Sequence, residues 1–270
     1  MKDDVVQVHD KGRVRTIVMN RPDKMNALSH ELAWAIVTEV QRAAHDDDVW
    51  AIAITGNGRA FCAGLDLSGP GDDASPLPLQ ERLMDDISWV GRFALVLRHE
   101  CDKPVIAGLN GVAAGAGLSL AMAADMRIAR KEAGKIGLPE VNLGVLPGTG
   151  GTQRMARLIG KVKALEMMIV GKQISFDTAK EMGLVNDVWD ATPDAFWEQI
   201  LTYAKQFCPP HKASMAVGHI KRCVQSGSEV PFEYGLALER ELQSLLFKSS
   251  DAKEGISAYV EKRMATFKAE

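Results

Sequence analysis

Short apolar runs typical of β-strands alternate with helix-forming segments along most of the chain, and this alternation restricts the fold more than any other feature. Each apolar run is bounded by Gly, Pro, Asn or Asp, which end strands and form turns. Strands that alternate with helices are typical of an α/β core. We therefore predict strands at residues 14–19, 49–55, 104–110, 126–129 and 136–138, and helices at 29–44, 115–124, 152–159, 161–170 and 175–182.

The end of the chain lacks this alternation. Beyond about Cys208 no strand signal remains, and residues 211–225, 231–247 and 251–267 each predict a helix with an apolar stripe. Such stripes are typical of core packing or of contacts between subunits. We therefore predict a core at residues 1–207 and an α-helical C-terminal region at 208–270. Within the core, residues 68–78 are rich in Gly, Pro, Ser and Asp, which predicts a surface loop.

The composition is that of a globular protein with enough apolar side chains for one large core. Of the 270 residues, 46% are hydrophobic and 25% are charged, and the formal net charge is -3. This charge argues against a protein that coats nucleic acid or an anionic membrane. No run approaches the roughly 18 apolar residues of a membrane span, and the amino terminus lacks the apolar segment of a secretion signal. With four scattered cysteines, the sequence predicts a cytoplasmic protein with reduced thiols.

Two glycine-bearing segments follow predicted strands. Residues 58–67 carry Gly64, and residues 110–117 carry Gly115 and Gly117 where an apolar helix begins. Glycines let a ligand approach the main chain closely, and the first turn of a helix has N–H groups without intrahelical acceptors. If the segments converge, these N–H groups form an oxyanion hole for a polarised carbonyl. Alternatively, both are ordinary tight turns. Neither fits a dinucleotide or phosphate-loop motif, and no cluster has metal-ligand spacing, so we predict no metal site.

Glu140 is the one acid in an apolar segment, residues 136–147, that leads into the glycine-rich turn 148–151. A carboxyl group between Pro139 and Val141 is poorly solvated, which raises its pKa towards the range useful for proton transfer. The alternative interpretation is a surface glutamate in a loop. On the first interpretation, Glu140 is a general acid or base beside the glycine segments.

Five segments, in order along the chain, resemble the crotonase (enoyl-CoA hydratase/isomerase) superfamily. They are NRPDKMNAL at 20–28, AFCAGLDL at 60–67, KPVIAGLNGVAAGAG at 103–117, ADMRIA at 124–129 and LPGTGGTQR at 146–154. The resemblance implies a crotonase-like spiral of ββα turns with a helical C-terminal region that forms a homotrimer or a dimer of trimers. It also implies an acyl-CoA thioester as substrate, with no separate cofactor because coenzyme A is part of that substrate.

The resemblance also assigns site residues, position by position. The two backbone N–H donors that hold the thioester oxygen fall on Leu65 and Ala116, and the catalytic carboxylate falls on Glu140. Lys24 and Ala27 lie where the family contacts the nucleotide end of CoA, although Lys24 could equally be a solvated loop charge. The predicted substrate-binding residues are Lys24, Ala27, Ala63, Leu65, Asp66, Leu67, Ser68, Ala116 and Ser119.

The acid positions depart from the usual hydratase pattern. Hydratases of the family place a second Glu where this chain has Ser119, and some members place an Asp where it has Gly148. Two carboxylates share the syn-addition of water, whereas a shift of a double bond needs only one base, which moves a proton from C2 to C4. With Glu140 as the single acid and base, we predict a Δ3-Δ2-enoyl-CoA isomerase. The alternative is an enoyl-CoA hydratase in which Glu140 works with Ser119.

Ser119 also allows a different class of function. A serine that opens a helix beside an oxyanion hole could be the nucleophile of an acyl-CoA thioester hydrolase, which would need a His and an orienting acid. No histidine lies in a segment that matches a catalytic part of the family. The Ser119 hydroxyl could instead bond back to the preceding turn. A non-catalytic protein that binds CoA is the remaining alternative.

Overall fold

The computed structural model of the protein describes residues 4–68, 92 and 96–269. The strands in this part of the chain are β1 (Val6–Lys11), β2 (Val14–Met19), β3 (Ala51–Gly56), β4 (Ala60–Cys62), β5 (Val105–Leu109), β6 (Val112–Ala114), β7 (Met126–Arg130), β8 (Lys135–Gly137), β9 (Ile174–Ser175) and β10 (Asp187–Trp189). The α-helices are α1 (His30–Ala44), α2 (Ala116–Ala123), α3 (Gly151–Ile159), α4 (Lys161–Val170), α5 (Phe176–Glu181), α6 (Pro193–Lys205), α7 (Ser214–Gly227), α8 (Phe232–Leu246) and α9 (Ser250–Glu261). Short 3-10 turns span Pro22–Lys24 and Glu140–Leu143, and a π-helical turn spans Val96–Glu100.

From β3 to β8, successive strands alternate between two β-sheets. In the described part of the chain, the larger sheet has the order β1-β2-β3-β5-β7-β10 and the smaller sheet has the order β4-β6-β8-β9. The pairs β3–β4, β5–β6 and β7–β8 each place their first strand in the larger sheet and their second in the smaller one. Strands β1 and β9 join the edges antiparallel, and the other pairings are parallel. This spiral of ββα turns confirms the predicted α/β fold class.

The central strands are buried because helices cover the sheet. Every residue of β3 is buried, as expected for a parallel strand with both faces covered. Helix α1 starts at Ser29, whose hydroxyl accepts a hydrogen bond from the Leu32 backbone N–H at 3.2 Å. The apolar stripe of α1 packs into the larger hydrophobic core, and α6 packs into a second core through Phe196 and Ile200.

The sequence located most of the long elements and missed several short ones. The predicted strand at 14–19 and the predicted helix at 161–170 have the bounds of β2 and α4, and Ser175 caps α5 as expected. The elements that the sequence analysis missed are β1, β4, β6, β9, β10 and α6. A strand of two or three residues shows no periodicity of its own. Helix α6 did carry a usable signal, since Thr192 caps it and Pro193 opens it.

The C-terminal region consists of α7, α8 and α9, as predicted, although two of the predicted bounds were wrong by three residues or more. Helix α7 begins at Ser214 rather than at residue 211, and α9 ends at Glu261 because Lys262 adopts a left-handed conformation. The Lys221 ammonium of α7 forms a buried ion pair with Asp125 at 2.9 Å, which joins this region to the core. No helix among the described residues is long and apolar enough to cross a membrane. The predicted loop at 68–78 lies outside the described residues, except for Ser68.

Candidate active site

A cavity of about 300 Å³ lies where the two glycine segments meet the segment around Glu140. Its floor is formed by backbone of the glycine segments, and its walls are largely apolar. The described residues that line it are Ala63, Gly64, Leu65, Leu67, Gly115, Ala116, Pro139, Glu140, Leu143, Val145, Leu146, Gly148 and Thr149. The two glycine segments, whose convergence the sequence left open, therefore both line the cavity that contains Glu140.

A larger open cleft of about 630 Å³ lies between β10 and α6. Its two polar aromatic groups already have partners within the protein. The Trp189 indole N–H donates to Asp187 at 2.8 Å, and the Tyr203 hydroxyl lies 3.4 Å from the Met126 sulfur. The cavity beside Glu140 is smaller, but it is lined by a carboxyl group whose buried Oε2 atom has no hydrogen-bond partner among the described residues.

The two glycine segments touch each other at the floor of the cavity. Gly64 and Gly115 both have positive φ, of 112° and 54°, which a residue with a side chain rarely adopts. A Cβ atom on Gly64 would lie 3.9 Å from the Ala116 nitrogen, and one on Gly115 would lie 3.8 Å from the Gly64 Cα. The predicted tight turns are thus real, and they also bring the Leu65 and Ala116 backbones side by side.

The two predicted oxyanion donors, the Leu65 and Ala116 N–H groups, form no hydrogen bond within the described part of the chain. Leu65 lies in a short parallel bridge with Leu28, in which the Leu28 N–H donates to the Gly64 carbonyl at 2.7 Å and the Asp66 N–H donates to the Leu28 carbonyl at 2.9 Å. Ala116 is the first residue of α2, so its N–H has no acceptor within the helix. Among the hydrogen bonds of the described residues, neither the Leu65 N–H nor the Ala116 N–H donates to a protein acceptor.

Glu140 places its carboxyl group close to Gly115, the residue before the Ala116 donor. It opens the 3-10 turn Glu140–Leu143, directly after Pro139. A Cβ atom on Gly115 would lie 3.3 Å from the Glu140 Oε1. The Oε2 atom is buried and has no hydrogen-bond partner among the described residues. Burial raises the pKa of the Glu140 carboxyl, as its apolar segment suggested. Such a carboxyl group is suited to take up and return a proton.

Ser119 lies behind the wall of the cavity and is not part of its described lining. The side chain is fully buried, and a Cβ atom on Gly151 would lie only 2.7 Å from the Ser119 Oγ. The hydroxyl has no hydrogen-bond partner among the described residues. The expectation that it bonds back to the preceding turn is therefore wrong, since the hydroxyl packs against the start of α3 instead.

Asp66 and Ser68 bind each other and the protein. The Asp66 carboxylate accepts hydrogen bonds from the Ser68 hydroxyl at 2.6 Å and from the Arg21 guanidinium at 2.7 Å. These contacts lower the pKa of Asp66 to about 2. Lys24 is exposed in the turn Pro22–Lys24, and the Ala27 carbonyl accepts a hydrogen bond from Arg21. None of these predicted substrate-binding residues lines the cavity in the described part of the chain, so their contacts with CoA stay predictions.

Sequence reasoning missed Thr149, which also lines the cavity. Its φ of 53° is unusual for a β-branched residue. Its hydroxyl is buried without a hydrogen-bond partner among the described residues, and its carbonyl accepts a hydrogen bond from Arg154 at 2.8 Å. A threonine inside a glycine-rich turn, as in Gly148-Thr149-Gly150, was the signal that could have identified it.

Comparisons with known proteins identify the family of this chain. The enoyl-CoA hydratase/isomerase family matches residues 9–270 of the chain. The chain is 37% identical over 262 residues to a 2,3-dehydroadipyl-CoA hydratase of Escherichia coli (strain K12), with 97% of each chain covered. It is 34% identical over 267 residues to a 1,2-epoxyphenylacetyl-CoA isomerase of the same organism, with 96% of each covered.

The fold is shared with solved structures of the same kind. An enoyl-CoA hydratase from Geobacillus kaustophilus HTA426 superposes with a TM-score of 0.88 at 35% sequence identity, covering 100% of this chain and 98% of the other. The chain therefore belongs to the enoyl-CoA hydratase/isomerase family, and it is an enzyme of the hydratase or isomerase type with the crotonase fold.

Proposed function

We propose that the enzyme binds an acyl-CoA thioester in the cavity beside Glu140 and transfers a proton at the carbon next to the thioester carbonyl. The observation that carries this proposal is the buried Glu140 Oε2 atom, which has no hydrogen-bond partner among the described residues and lies in the cavity that Leu65 and Ala116 also line. The Leu65 and Ala116 N–H groups donate hydrogen bonds to the thioester oxygen as it gains negative charge. Each such donor typically contributes about 10²–10³ in rate.

The reaction that this arrangement fits best is the shift of a double bond from Δ3 to Δ2. Glu140 takes a proton from C2, and the electron pair of that C–H bond forms an enolate held by the two donors. The enolate then collapses, the double bond moves into conjugation, and Glu140 returns its proton to C4. One carboxyl group performs both transfers, and Glu140 is the only acid among the described residues that line the cavity. Ser119 and Gly148 occupy the positions where a second acid would be expected.

A hydratase is the second candidate, favoured by the names of the relatives. The E. coli relative at 37% identity is named a 2,3-dehydroadipyl-CoA hydratase. In such a reaction Glu140 would activate the water and also supply the proton to C2. The buried position of Ser119, behind Gly151, argues against a role for its hydroxyl in holding that water.

The remaining alternatives have less support. Neither Ser119 nor any histidine is among the described residues of the cavity lining, so a serine-dependent thioester hydrolase lacks its nucleophile and base there. A non-catalytic CoA-binding protein does not fit a family whose relatives are named as enzymes.

We propose that the helices at 208–270 form a homotrimer or a dimer of trimers. Several large apolar side chains of α7 and α9 are exposed in the single chain, for example Ile220, Val224, Tyr259 and Val260. Light scattering of the purified protein would give the number of subunits. We also propose a cytoplasmic enzyme that needs no cofactor beyond the CoA of its substrate.

A panel of acyl-CoA thioesters, followed by mass spectrometry in D₂O, tests the choice of reaction. With a 3-enoyl-CoA, we expect a 2-enoyl-CoA product of unchanged composition. Deuterium should appear at C4 only to the extent that Glu140 exchanges its proton with solvent before returning it. A product from 2-enoyl-CoA that contains one added water, formed faster than the isomerisation, would favour the hydratase instead. Release of free CoA would contradict both.

A further inference from the structure

We propose that Arg21 is a positioning residue that orients and polarises the Leu65 N–H, one of the two oxyanion donors, through a relay of two peptide groups. The inference rests on the proposed function, because it concerns the same thioester oxygen. It assigns a role to an ion pair, Arg21–Asp66, that does not line the described part of the cavity.

The relay can be followed bond by bond from the guanidinium to the cavity. The Arg21 Nη1 donates to the Ala27 carbonyl. The same peptide group carries the Leu28 N–H, which donates to the Gly64 carbonyl at 2.7 Å. The peptide group of that carbonyl carries the Leu65 N–H. In a trans peptide the C=O and the N–H point in opposite directions, so the bond from Leu28 directs the Leu65 N–H away from Leu28 and into the cavity.

The orientation of the Leu65 N–H needs this restraint, because Gly64 and Leu65 do not fix it by themselves. Gly64 precedes it with a φ of 112°, and glycine by itself leaves the orientation of the next peptide soft. The Leu65 side chain is 42% exposed, so packing does not anchor it. The direction of the Leu65 N–H therefore depends on the hydrogen bonds of the neighbouring residues, and these bonds involve Arg21 and Asp66.

The charge of Arg21 adds a second effect. A hydrogen-bonded chain of peptides is polarised by a cation at its carbonyl end, and each bond strengthens the next. The guanidinium thus makes the Leu65 N–H a stronger donor for a developing oxyanion. Asp66 fixes the guanidinium with a bond of 2.7 Å, and both side chains are largely buried, with 20% of Arg21 and 9% of Asp66 exposed. Ser68 in turn holds the Asp66 carboxylate from the other side.

The test is the infrared stretch of the thioester carbonyl in a bound ligand that cannot react. Hexanoyl-CoA labelled with ¹³C at the carbonyl carbon is bound to the wild type and to Arg21→Gln. In the wild type, we expect the carbonyl band to fall in frequency on binding, because two N–H groups polarise the bond. In Arg21→Gln, part of that shift should be lost, while the Ala116 donor preserves the rest.

Kinetics provide the second readout. Because one donor is misplaced rather than removed, kcat should fall by about tenfold, less than the 10²–10³ of a deleted donor, with little change in KM. Arg15→Gln is the matched control. Arg15 is similarly buried, with 12% of its side chain exposed, and pairs with Asp10 and Asp46 at 2.8 Å each, away from the cavity. That variant should lower the melting temperature and leave the carbonyl shift and kcat unchanged.

Each outcome decides the matter. An Arg21→Gln enzyme with the full carbonyl shift and full kcat overturns the relay, whatever its melting temperature. If Arg21→Gln does not fold, Asp66→Asn replaces it, because this variant keeps the guanidinium but removes the charge that fixes it. We expect Asp66→Asn to lose a smaller part of the carbonyl frequency shift. Full retention of the shift in Asp66→Asn overturns the relay as well. A wild type without any carbonyl shift would instead contradict the proposed oxyanion hole.

Discussion

At the scale of single residues, the site is made of polar groups without a partner inside the described protein, and the two side-chain groups among them are buried. The Glu140 Oε2, the Thr149 hydroxyl and the free N–H groups of Leu65 and Ala116 surround or adjoin one cavity. Leaving a buried polar group unpaired costs roughly 1–3 kcal/mol. The protein tolerates this cost at the position where, in our account, the substrate supplies the missing partners.

The pKa of Glu140 predicts the pH dependence of the reaction. Burial raises this pKa above its ordinary value of 4.5. Glu140 must be ionised to take the first proton, so activity is present above the raised pKa and falls as the pH drops through it. We expect the acid limb of kcat/KM, measured from pH 4 to pH 9, to have its midpoint above 4.5. A midpoint at or below that value would contradict the assignment of Glu140 as the base.

At the scale of elements, the site depends on two backbone segments that only glycine lets approach. Gly115 precedes α2, and Gly64 follows β4, so a short strand and a helix start deliver one donor each. The strands β4 and β6 pair in parallel within the smaller sheet, which places the ends of both segments at the same edge.

A side chain at residue 115 is therefore predicted to disable the site without changing the fold. In Gly115→Ala, the new Cβ would lie 3.3 Å from the Glu140 Oε1 at a φ of 54°. We expect kcat/KM to fall by about 10²-fold, with the far-ultraviolet circular dichroism unchanged. Gly160→Ala is the control, since Gly160 has a φ of 81° and no atom within 4 Å of the added Cβ. The Gly160→Ala variant should be less stable than the wild type but keep its activity. Equal losses of activity in both variants would show that backbone strain, and not the site, is responsible.

The sequence predicted those elements whose signals are local. Ser29 and Ser175 mark their helices because the capping hydroxyl lies beside the N–H that it binds. The three-residue strands β4 and β6 escaped prediction because their partners are distant in the chain. Glu140, Leu65 and Ala116 were predicted together by their apolar and glycine-rich contexts and by family resemblance. The Arg21 relay was not predicted from the sequence, since it exists only once residues 21–28 and 64–68 have folded against each other.

At the scale of the whole molecule, the helical C-terminal region is joined to the spiral core by a buried ion pair. Lys221 of α7 lies 2.9 Å from Asp125, and its ammonium also donates to the Leu97 and Lys103 carbonyls. Only 6% of the Lys221 side chain is exposed. These bonds tie α7 to the segment that enters β5, at the centre of the larger sheet.

Loss of the Lys221 ammonium should therefore destabilise the whole protein. In Lys221→Met, Asp125 remains buried without its cation, and removing one partner of a buried pair typically costs about 3–5 kcal/mol. Denaturation by urea measures this loss. Lys11→Met is the matched control, since Lys11 pairs with Glu198 at 2.6 Å with more than half of each side chain exposed, and it should cost less than about 1 kcal/mol. Similar losses in both variants would contradict the importance of the buried pair.

The central claim is that Glu140 moves the proton by itself, and the Glu140→Gln variant tests it most directly. Glutamine keeps the size of the side chain and removes its ability to accept a proton. The turnover of 3-enoyl-CoA to 2-enoyl-CoA should fall by about 10²–10⁴ or more, while Glu166→Gln, at an exposed position of α4, should retain wild-type activity. Undiminished turnover in Glu140→Gln would contradict the account.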